Sequence, residues 1–224
     1  MENTTKLVLS NNEIITRYAS YPLKWMCARR IGIGQIVYLN SYGGGMVRGD
    51  VQHIQYRVDR GRLILLTSAE GKVYKSRQQS LSISTPLLCQ QTIDSVVSKD
   101  SVFVHFPKVM CPFGTSRFSL SHRVQLDHPS ASVFLFDAYC EGRSLLNEHW
   151  DMDLYETSTL IYSHTNELLV SDRVRLSAND GVVSLREKMK SMQVAGTVII
   201  LGPFFQHYIV SLCERIAAKS TQSE

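Results

Sequence analysis

Short runs in which apolar and polar residues alternate recur along most of this chain, and they constrain its fold more than any other feature. In one such run, Ile54, Tyr56 and Val58 alternate with polar residues, which is typical of a strand with one buried face. Further runs of strand character cover residues 62–66, 80–84, 102–106, 118–126, 132–139, 154–163, 168–176 and 197–201. Many short strands without intervening helices predict a mainly-β protein of packed or coiled sheets, a β-helix-like scaffold.

The breaks between these runs are rich in Gly, Pro, Asp and Asn. Asp59-Arg60-Gly61 separates two of the runs and predicts a hairpin-type turn between them. No repeat is visible in the sequence, and no stretch has the composition of a linker. We therefore expect a single domain over residues 1–224.

Helical patterns are confined to the region near the C-terminus. Gly202-Pro203 opens the clearer one, because proline is preorganised for the first turn of a helix. Apolar residues then follow at helical spacing: Phe204, Phe205, Tyr208, Ile209, Leu212 and Ile216. This pattern predicts an amphipathic helix that covers a sheet or meets a partner. A weaker helical pattern lies around residues 184–192.

Composition excludes several classes of protein. The chain is 44% hydrophobic and 20% charged, with a formal net charge of +4, which is typical of a soluble globular domain. Its cations do not cluster with aromatic residues, so a nucleic-acid groove is not indicated. No apolar run approaches the roughly 20 residues that cross a bilayer. Five dispersed cysteines without a C-x-x-C pair predict a reduced, cytoplasmic protein.

Residues 39–50 contain four glycines, Gly43 to Gly45 and Gly49, between two strand patterns. Glycine tolerates positive φ angles and close backbone approach, so this segment predicts a tightly built turn. It is not a phosphate-binding loop, because Asp50 stands where such a loop needs lysine followed by a helix. Asp50 is the strongest candidate for a functional carboxylate, although a role in capping the turn explains it equally well.

The seven histidines are dispersed and form none of the local pairs that mark metal sites. The stretch 148–153 offers His149, Asp151 and Asp153 as weak, transient metal ligands, because imidazole and carboxylate suit borderline ions such as nickel and zinc. A solvated strand entrance is the favoured alternative. No G-x-S-x-G motif or other local nucleophile signature is present, so the chain is not predicted to be an enzyme.

Three further clusters have the character of backbone or surface fixtures. Lys72-Val-Tyr-Lys-Ser76 places two cations beside Tyr74, and Pro112-Phe113-Gly114 marks a turn with an aromatic residue. In the segment 141–148, Gly142 permits close approach and Arg143 is suited to bidentate pairing with Glu148. A structural ion pair and a contact with a partner both remain open for this segment.

Taken in order, these pieces resemble the urease accessory protein D (UreD) family, and more closely its eukaryotic branch. The resemblance runs from about Tyr21 to the terminal helix. It rests on the Tyr-Gly-Gly-Gly-Met-Val-x-Gly-Asp turn, the segments 65–67, 72–76, 106–107, 113–118 and 142–148, and finally 196–197 with 201–203. Relatives usually continue beyond the terminal helix, so we expect this chain to be shortened at its C-terminus.

The resemblance implies a non-catalytic factor that assists urease maturation. Its partners would be apo-urease on one side and, on the other, an F-type accessory protein that recruits a nickel-carrying GTPase. Ni²⁺ would be in transit, not tightly bound, and would pass through an internal water-filled tunnel. The residues expected at an interface or tunnel are Gly44, Gly45, Gly49, Asp50, Lys72, Tyr74, Gly142, Arg143 and Glu148.

Two other functions stay open from the residues alone. One is a metal-dependent hydrolase on a β scaffold, with His122, His128 or His149 acting beside Asp151 or Asp153. The other is a protein-interaction module unrelated to urease.

Overall fold

The computed structural model describes residues 4–32, 34–67, 71–74, 88–178, 181 and 183–220. Its strands are β1 (Thr4–Ser10), β2 (Glu13–Tyr18), β3 (Leu23–Ile31), β4 (Gly34–Ser41), β5 (Gly45–Met46), β6 (Val51–Asp59), β7 (Arg62–Thr67), β8 (Gly71–Val73), β9 (Cys89–Val97), β10 (Val102–Phe106), β11 (Met110–Pro112), β12 (Arg117–Leu126), β13 (Ser132–Cys140), β14 (Leu154–Tyr162), β15 (Leu168–Ser177) and β16 (Val194–Leu201). The mainly-β prediction is confirmed. The run predicted at residues 80–84 lies outside the described residues.

The strands form two curled sheets that face each other. Sheet A has the order β15-β14-β12-β9-β6-β1-β2, and sheet B has the order β3-β4-β7-β10-β13-β11-β8-β5, with β16 also paired to β13. The central neighbours β6, β9, β12 and β14 of sheet A pair in parallel, as do β4, β7, β10 and β13 of sheet B. Parallel pairing requires a crossover between neighbours, and here the other sheet supplies it.

The chain therefore coils between the sheets, and the hairpin predicted at Asp59-Arg60-Gly61 is wrong. β6 belongs to sheet A and β7 to sheet B, so this segment is a corner between sheets. Successive corners stack, with the Val102 N–H donating to the Gly61 carbonyl at 2.9 Å and the Ser132 N–H to the Ser101 carbonyl at 2.9 Å. We call one passage of the chain through both sheets a coil. Successive coils also contain the short strands β5, β8 and β11 of sheet B, which pair in parallel with one another. The fold thus repeats where the sequence shows no repeat.

Inward-facing side chains of both sheets fill the space between them. The larger core includes six residues that have no exposed surface: Leu7, Val37, Leu63, Phe103, Val124 and Ile161. A second core, toward the short strands, contains Met46, Val73, Phe118, Trp150, Met152 and Tyr155. Because side chains alternate across a strand, each long strand contributes every second residue to these cores.

Two α-helices lie near the C-terminus, as predicted. The short helix α1 (Leu185–Met189) begins with a complete capping box between Ser184 and Glu187. A 3₁₀ turn at residues 203–205 leads into α2 (Gln206–Ser220). Its apolar side chains do not cover a sheet, since Tyr208 is 65% and Ile216 60% exposed. None of the helices in the described residues is long and apolar enough to span a membrane.

Candidate functional site

The glycine-rich segment is a tight turn between β4 and β6, as its sequence predicted. Gly43, Gly44 and Gly49 have φ angles of 83°, 75° and 85°, which favour glycine. Asp50 closes the turn: its carboxylate accepts a hydrogen bond from the Val47 N–H at 2.9 Å, and its own N–H donates to the Val47 carbonyl at 3.0 Å. The structure thus shows the capping role of Asp50 and leaves its functional role a prediction.

Gly45 brings the β8 segment directly against this turn. An added Cβ at Gly45 would lie 2.5 Å from the Lys72 carbonyl oxygen and 2.8 Å from Cε2 of Tyr74, closer than real Cβ contacts allow. The hydroxyl of Tyr74 donates to the Gly43 carbonyl at 3.1 Å. The absence of a side chain at Gly45 therefore lets Lys72 and Tyr74 pack onto the glycine turn.

Phe113 connects this turn to the segment that follows β13. Its ring meets the Tyr74 ring edge-on at 5.2 Å between centroids. On its other side, the Arg143 guanidinium lies 4.1 Å from the centroid of the Phe113 ring, within the range of a cation–π contact. The cation and the aromatic ring come from segments 30 positions apart in the sequence.

The pairing predicted between Arg143 and Glu148 is present and bidentate. Nε and Nη2 of Arg143 donate to the two carboxylate oxygens of Glu148 at 2.8 and 2.6 Å. The Gly114 N–H donates to the same carboxylate at 3.2 Å. Gly142 has a φ of 119°, and a Cβ there would lie 3.2 Å from the Pro112 carbonyl oxygen, so this position also needs glycine. Glu148 is only 8% exposed.

These contacts assemble one continuous group, which we call the motif cluster: Gly44, Gly45, Tyr74, Phe113, Gly142, Arg143 and Glu148. Lys72 borders it through Gly45, whereas Gly49 and Asp50 lie in the adjoining part of the glycine turn. Phe113 belongs to the cluster although it was not among the expected site residues; its signal was the turn motif around Pro112 and Gly114. The cluster lies where the short strands of successive coils stack.

Glu148→Gln should weaken this part of the protein because it removes the charge that holds Arg143 and the Gly114 N–H. We expect a clear fall in the thermal unfolding midpoint, measured by circular dichroism. Glu156→Gln is the matched control, since Glu156 pairs with Arg175 at 2.9 Å but the two side chains are 33% and 58% exposed; exposed pairs contribute little. Equal shifts for the two variants would contradict this account.

The acidic stretch 148–153 does not converge on a metal site in the part of the chain that the structure describes. Nδ1 of His149 is hydrogen-bonded to the Glu141 carboxylate at 2.7 Å, and the Asp151 carboxylate accepts from the His149 N–H at 3.1 Å. Asp153 contributes its N–H to the Ser116 carbonyl at 3.0 Å. Among the described residues, no group of three or more His, Cys, Asp or Glu side chains is placed to hold a metal ion. Transient metal contact at His149, Asp151 and Asp153 stays a prediction.

The histidines considered for a hydrolase are also apart. His122 is buried and hydrogen-bonded to Ser95 at 2.9 Å, whereas His128 is hydrogen-bonded to Ser130 at 2.8 Å in the corner before β13. No described contact brings either one to His149 or the aspartates, so the structure gives this alternative no support.

A strip of polar side chains runs between the two sheets. A cavity of about 90 Å³ is lined by residues including Tyr56, His105, Asp137 and Tyr155. A smaller cavity of about 20 Å³ shares His105 and Asp137 with it and adds His122 and Asp172. The hydroxyls of Tyr56 and Tyr155 are buried and have no hydrogen-bond partner among the described residues. The lining of the larger cavity is mostly apolar, but these hydroxyls, His105 and Asp137 offer hydrogen-bond partners to a water molecule there.

Burial controls the protonation of this strip. It lowers the pKa of His105 to about 4, and it lowers the pKa of His122 as well, with a further contribution from the charge of His105. The two rings lie 5.3 Å apart, edge to face. Burial raises the pKa of Asp137 to about 6, against a hydrogen bond from Thr157 that lowers it. At neutral pH both imidazoles are therefore uncharged, the form in which histidine binds metal ions.

Sequence reasoning did not single out His105 and Asp137, and it considered His122 only as a hydrolase ligand. A signal was available in the strand alternation, because Phe103 and His105 share the inward face of β10, as His122 and Val124 do on β12. Polar residues at inward positions of otherwise apolar strands mark a buried polar site.

Comparison with known proteins shows which family the chain belongs to. The family model described as "UreD urease accessory protein" matches residues 5–223. The chain belongs to the UreD family. Among its relatives are "Urease accessory protein UreD" of Sorangium cellulosum, 32% identical over 186 residues, and "Urease accessory protein D" of Oryza sativa subsp. indica, 28% identical over 201 residues. "Urease accessory protein D" of Arabidopsis thaliana is 26% identical over 190 residues.

These alignments cover most of this UreD-family chain but less of its relatives. They include 83%, 86% and 83% of the chain, and 55%, 62% and 62% of the Sorangium, rice and Arabidopsis proteins respectively. The motif cluster therefore lies within a region that spans somewhat more than half the length of these relatives.

Proposed function

We propose that this chain is a non-catalytic urease maturation factor, a scaffold that binds apo-urease and an F-type accessory protein. Through the F-type protein it would meet a nickel-carrying GTPase. Membership in the UreD family supports the maturation role. The observation that carries the proposal is the motif cluster, because residues distant in sequence converge on one small region through contacts to glycine, aromatic and charged groups.

The exposed apolar face of α2 supports a role in assembly. Tyr208, Leu212 and Ile216 are 65%, 46% and 60% exposed, and contiguous exposed apolar surface is characteristic of protein–protein contacts. The proposed scaffold therefore has two distinct surfaces: the motif cluster at the short strands, and α2 beyond the edge strand β16.

Ni²⁺ is the proposed cargo, and the polar strip between the sheets is its proposed path. Neutral imidazoles and carboxylates are suitable donors for nickel. His105 and Asp137 line both cavities, and His122 lines the smaller one. A path must bind its ion weakly at each point, because tight chelation would hold the ion instead of releasing it. This strip is more enclosed than the surface stretch at His149.

Affinity purification tests the binding proposal. The chain, carrying a tag, would be co-expressed with apo-urease and the F-type and GTPase accessory proteins of its host. We expect urease and the F-type protein to be recovered with it, and the GTPase only when the F-type protein is present. Recovery of none of the three with a folded chain would contradict the proposal. Separate expression of each partner then shows which contacts are direct.

Asp50→Ala should leave a folded protein but reduce urease activation in the same co-expression system. The substitution removes one hydrogen bond to the Val47 N–H, worth about 1 kcal/mol, which a domain of this size tolerates. Asp50→Asn is the matched variant, since an amide oxygen still accepts that bond but carries no charge. Loss of activation in both variants assigns the role to the carboxylate charge, and loss in Asp50→Ala alone assigns it to the turn. Full activity of Asp50→Ala would remove Asp50 from the functional residues.

A further inference from the structure

Two cysteines that are 29 positions apart in the sequence lie side by side in sheet B. Cys111 is in β11, and Cys140 is the last residue of β13. The parallel pairing of Met110 with Tyr139 places the next residues, Cys111 and Cys140, on adjacent strands. Neighbouring strands lie about 4.8 Å apart, and disulfides join Cα atoms about 4.4–6.8 Å apart. From typical sheet spacing, we infer that the two residues, one step beyond this pair, lie within reach of a disulfide.

In this parallel register the two side chains lie on the same face of sheet B, close enough for each thiol to shift the pKa of the other. Sγ of Cys140 also lies 3.8 Å from the Gly142 carbonyl oxygen. Both cysteines are partly exposed, whereas Cys89 is buried. A small oxidant therefore has access to this pair.

Cys140 is the more reactive sulfur of the two. Hydrogen bonding from the Cys111 thiol lowers the pKa of Cys140, against burial and the neighbouring Glu141 carboxylate, which raise it. A lower pKa gives more thiolate, which is the form that reacts with oxidants. A second thiol within contact distance can then resolve the oxidised product.

We propose that Cys111 and Cys140 form a reversible dithiol–disulfide pair that is oxidised by hydrogen peroxide. This inference goes beyond the proposed function and does not depend on it. It rests on the strand register, the contact between the two thiols and their exposure. Oxidation joins β11 to the end of β13 beside Gly142 and Arg143, so it covalently fixes one side of the motif cluster.

The reaction balances in two steps. The Cys140 thiolate attacks one peroxide oxygen, the O–O bond breaks, and hydroxide leaves as Cys140 becomes a sulfenic acid. The sulfur of Cys111 then attacks the Cys140 sulfur, the S–S bond forms, and the S–O bond breaks. The hydroxide that departs takes up the Cys111 proton and becomes water. Overall, two thiols lose two electrons and two protons, and one peroxide becomes two waters.

Mass spectrometry of the full chain tests the proposal. The reduced protein would be treated with a small excess of hydrogen peroxide, quenched with catalase and alkylated under denaturing conditions. In a sample taken before alkylation, we expect a monomer about 2 Da lighter than the reduced protein that regains its mass with dithiothreitol; after alkylation, the oxidised chain should carry two alkyl groups fewer than the reduced chain. Without reduction, the tryptic peptides 109–117 and 124–143, which contain Cys111 and Cys140, should be recovered as one linked species.

Variants make the assignment specific. Cys111→Ser and Cys140→Ser should each abolish the linked species, whereas Cys213→Ser, at an exposed position in α2, should leave it unchanged. The peptide map of the unsubstituted chain gives the answer even if a serine variant fails to fold. Linkage through other cysteines, oxidation only to sulfinic or sulfonic acid, or two free thiols at positions 111 and 140 after treatment would each overturn the proposal.

Discussion

When the pH falls from about 7 to about 4, the free energy of unfolding should fall by about 3 kcal/mol less in His105→Phe than in the wild type. Burial lowers the pKa of His105 from 6.5 to about 4. Below pH 6.5 the unfolded chain binds a proton at this position that the folded protein does not. The stabilising contribution of the neutral histidine is therefore fully present above pH 6.5 and is lost as the pH falls through about 4.

The measurement is the free energy of unfolding by denaturant at several pH values for the wild type and His105→Phe. Phenylalanine preserves ring contacts, since the His105 ring stacks on Phe103 at 6.1 Å and lies 6.2 Å from Tyr56. His53→Gln, which also removes a histidine but at an exposed position of β6, is the control substitution. A pH profile of His105→Phe that parallels the wild type would contradict the burial of His105 between the sheets.

Asp137 changes the stability with pH in the opposite direction to His105. Its folded pKa of about 6 lies above the ordinary value of 3.8, so its stabilising contribution is present below 3.8 and is lost as the pH rises through 6. Asp137 is present in the wild type and in His105→Phe alike. The difference between these two proteins therefore reports the loss of His105, together with its effect on the pKa of His122.

Gly45→Ala should destabilise the protein by about 1–3 kcal/mol, the usual cost of forcing extra atoms into a packed site. The new methyl group would meet the Lys72 carbonyl at 2.5 Å and the Tyr74 ring at 2.8 Å. Because the carbonyl belongs to the backbone of β8, relief requires β5 and β8 to separate. Tyr74 would then lose its contacts with Gly43 and Phe113, and we expect urease activation to fall with it.

Gly114→Ala is the matched control for this substitution. Gly114 adjoins the motif cluster through its N–H bond to Glu148, but a Cβ there would be 3.4 Å from its nearest neighbours on Glu148, an ordinary contact. We expect this variant to remain within about 1 kcal/mol of the wild type, because the added methyl group meets no atom at less than an ordinary contact distance. Denaturant unfolding and the co-expression assay measure both variants. Equal stability and activity of Gly45→Ala and Gly114→Ala would show that close packing at Gly45 does not organise the site.

The sequence was sufficient to predict most of the long strands after residue 50, but not the partners of these strands. The alternation in residues 51–58 and 102–106 identifies β6 and β10, because one face of each is buried whichever strand lies beside it. The turn residues at 59–61 are compatible with a hairpin or with a corner between sheets. The choice between hairpin and corner depends on how each coil stacks on the next, as in the pairing of β7 with β10. Such contacts between distant segments leave no local signal in the sequence. Strands β1 to β3, the central strand β9 and the short strands β5, β8 and β11 were not singled out, although Leu7 and Leu9 alternate in β1.

The site was predictable in its pieces but not in its assembly. The glycine turn, the segment around Tyr74 and the pair of Arg143 with Glu148 were each visible locally. Their convergence follows from the coiling, which returns the chain to the same end of the sheets after each pass. For the same reason, the contact between Cys111 and Cys140 and the polar strip of His105, His122 and Asp137 escaped a search for local spacing: each draws its members from different strands.

Urease activity in a reconstituted expression system tests the central claim most directly. Apo-urease, the F-type protein and the GTPase would be expressed with nickel, with and without this chain, and activity would be measured per urease molecule. The account predicts nickel-dependent activity that requires this chain and falls when Gly45→Ala replaces it. The same activity with and without the folded chain would contradict a role in urease maturation.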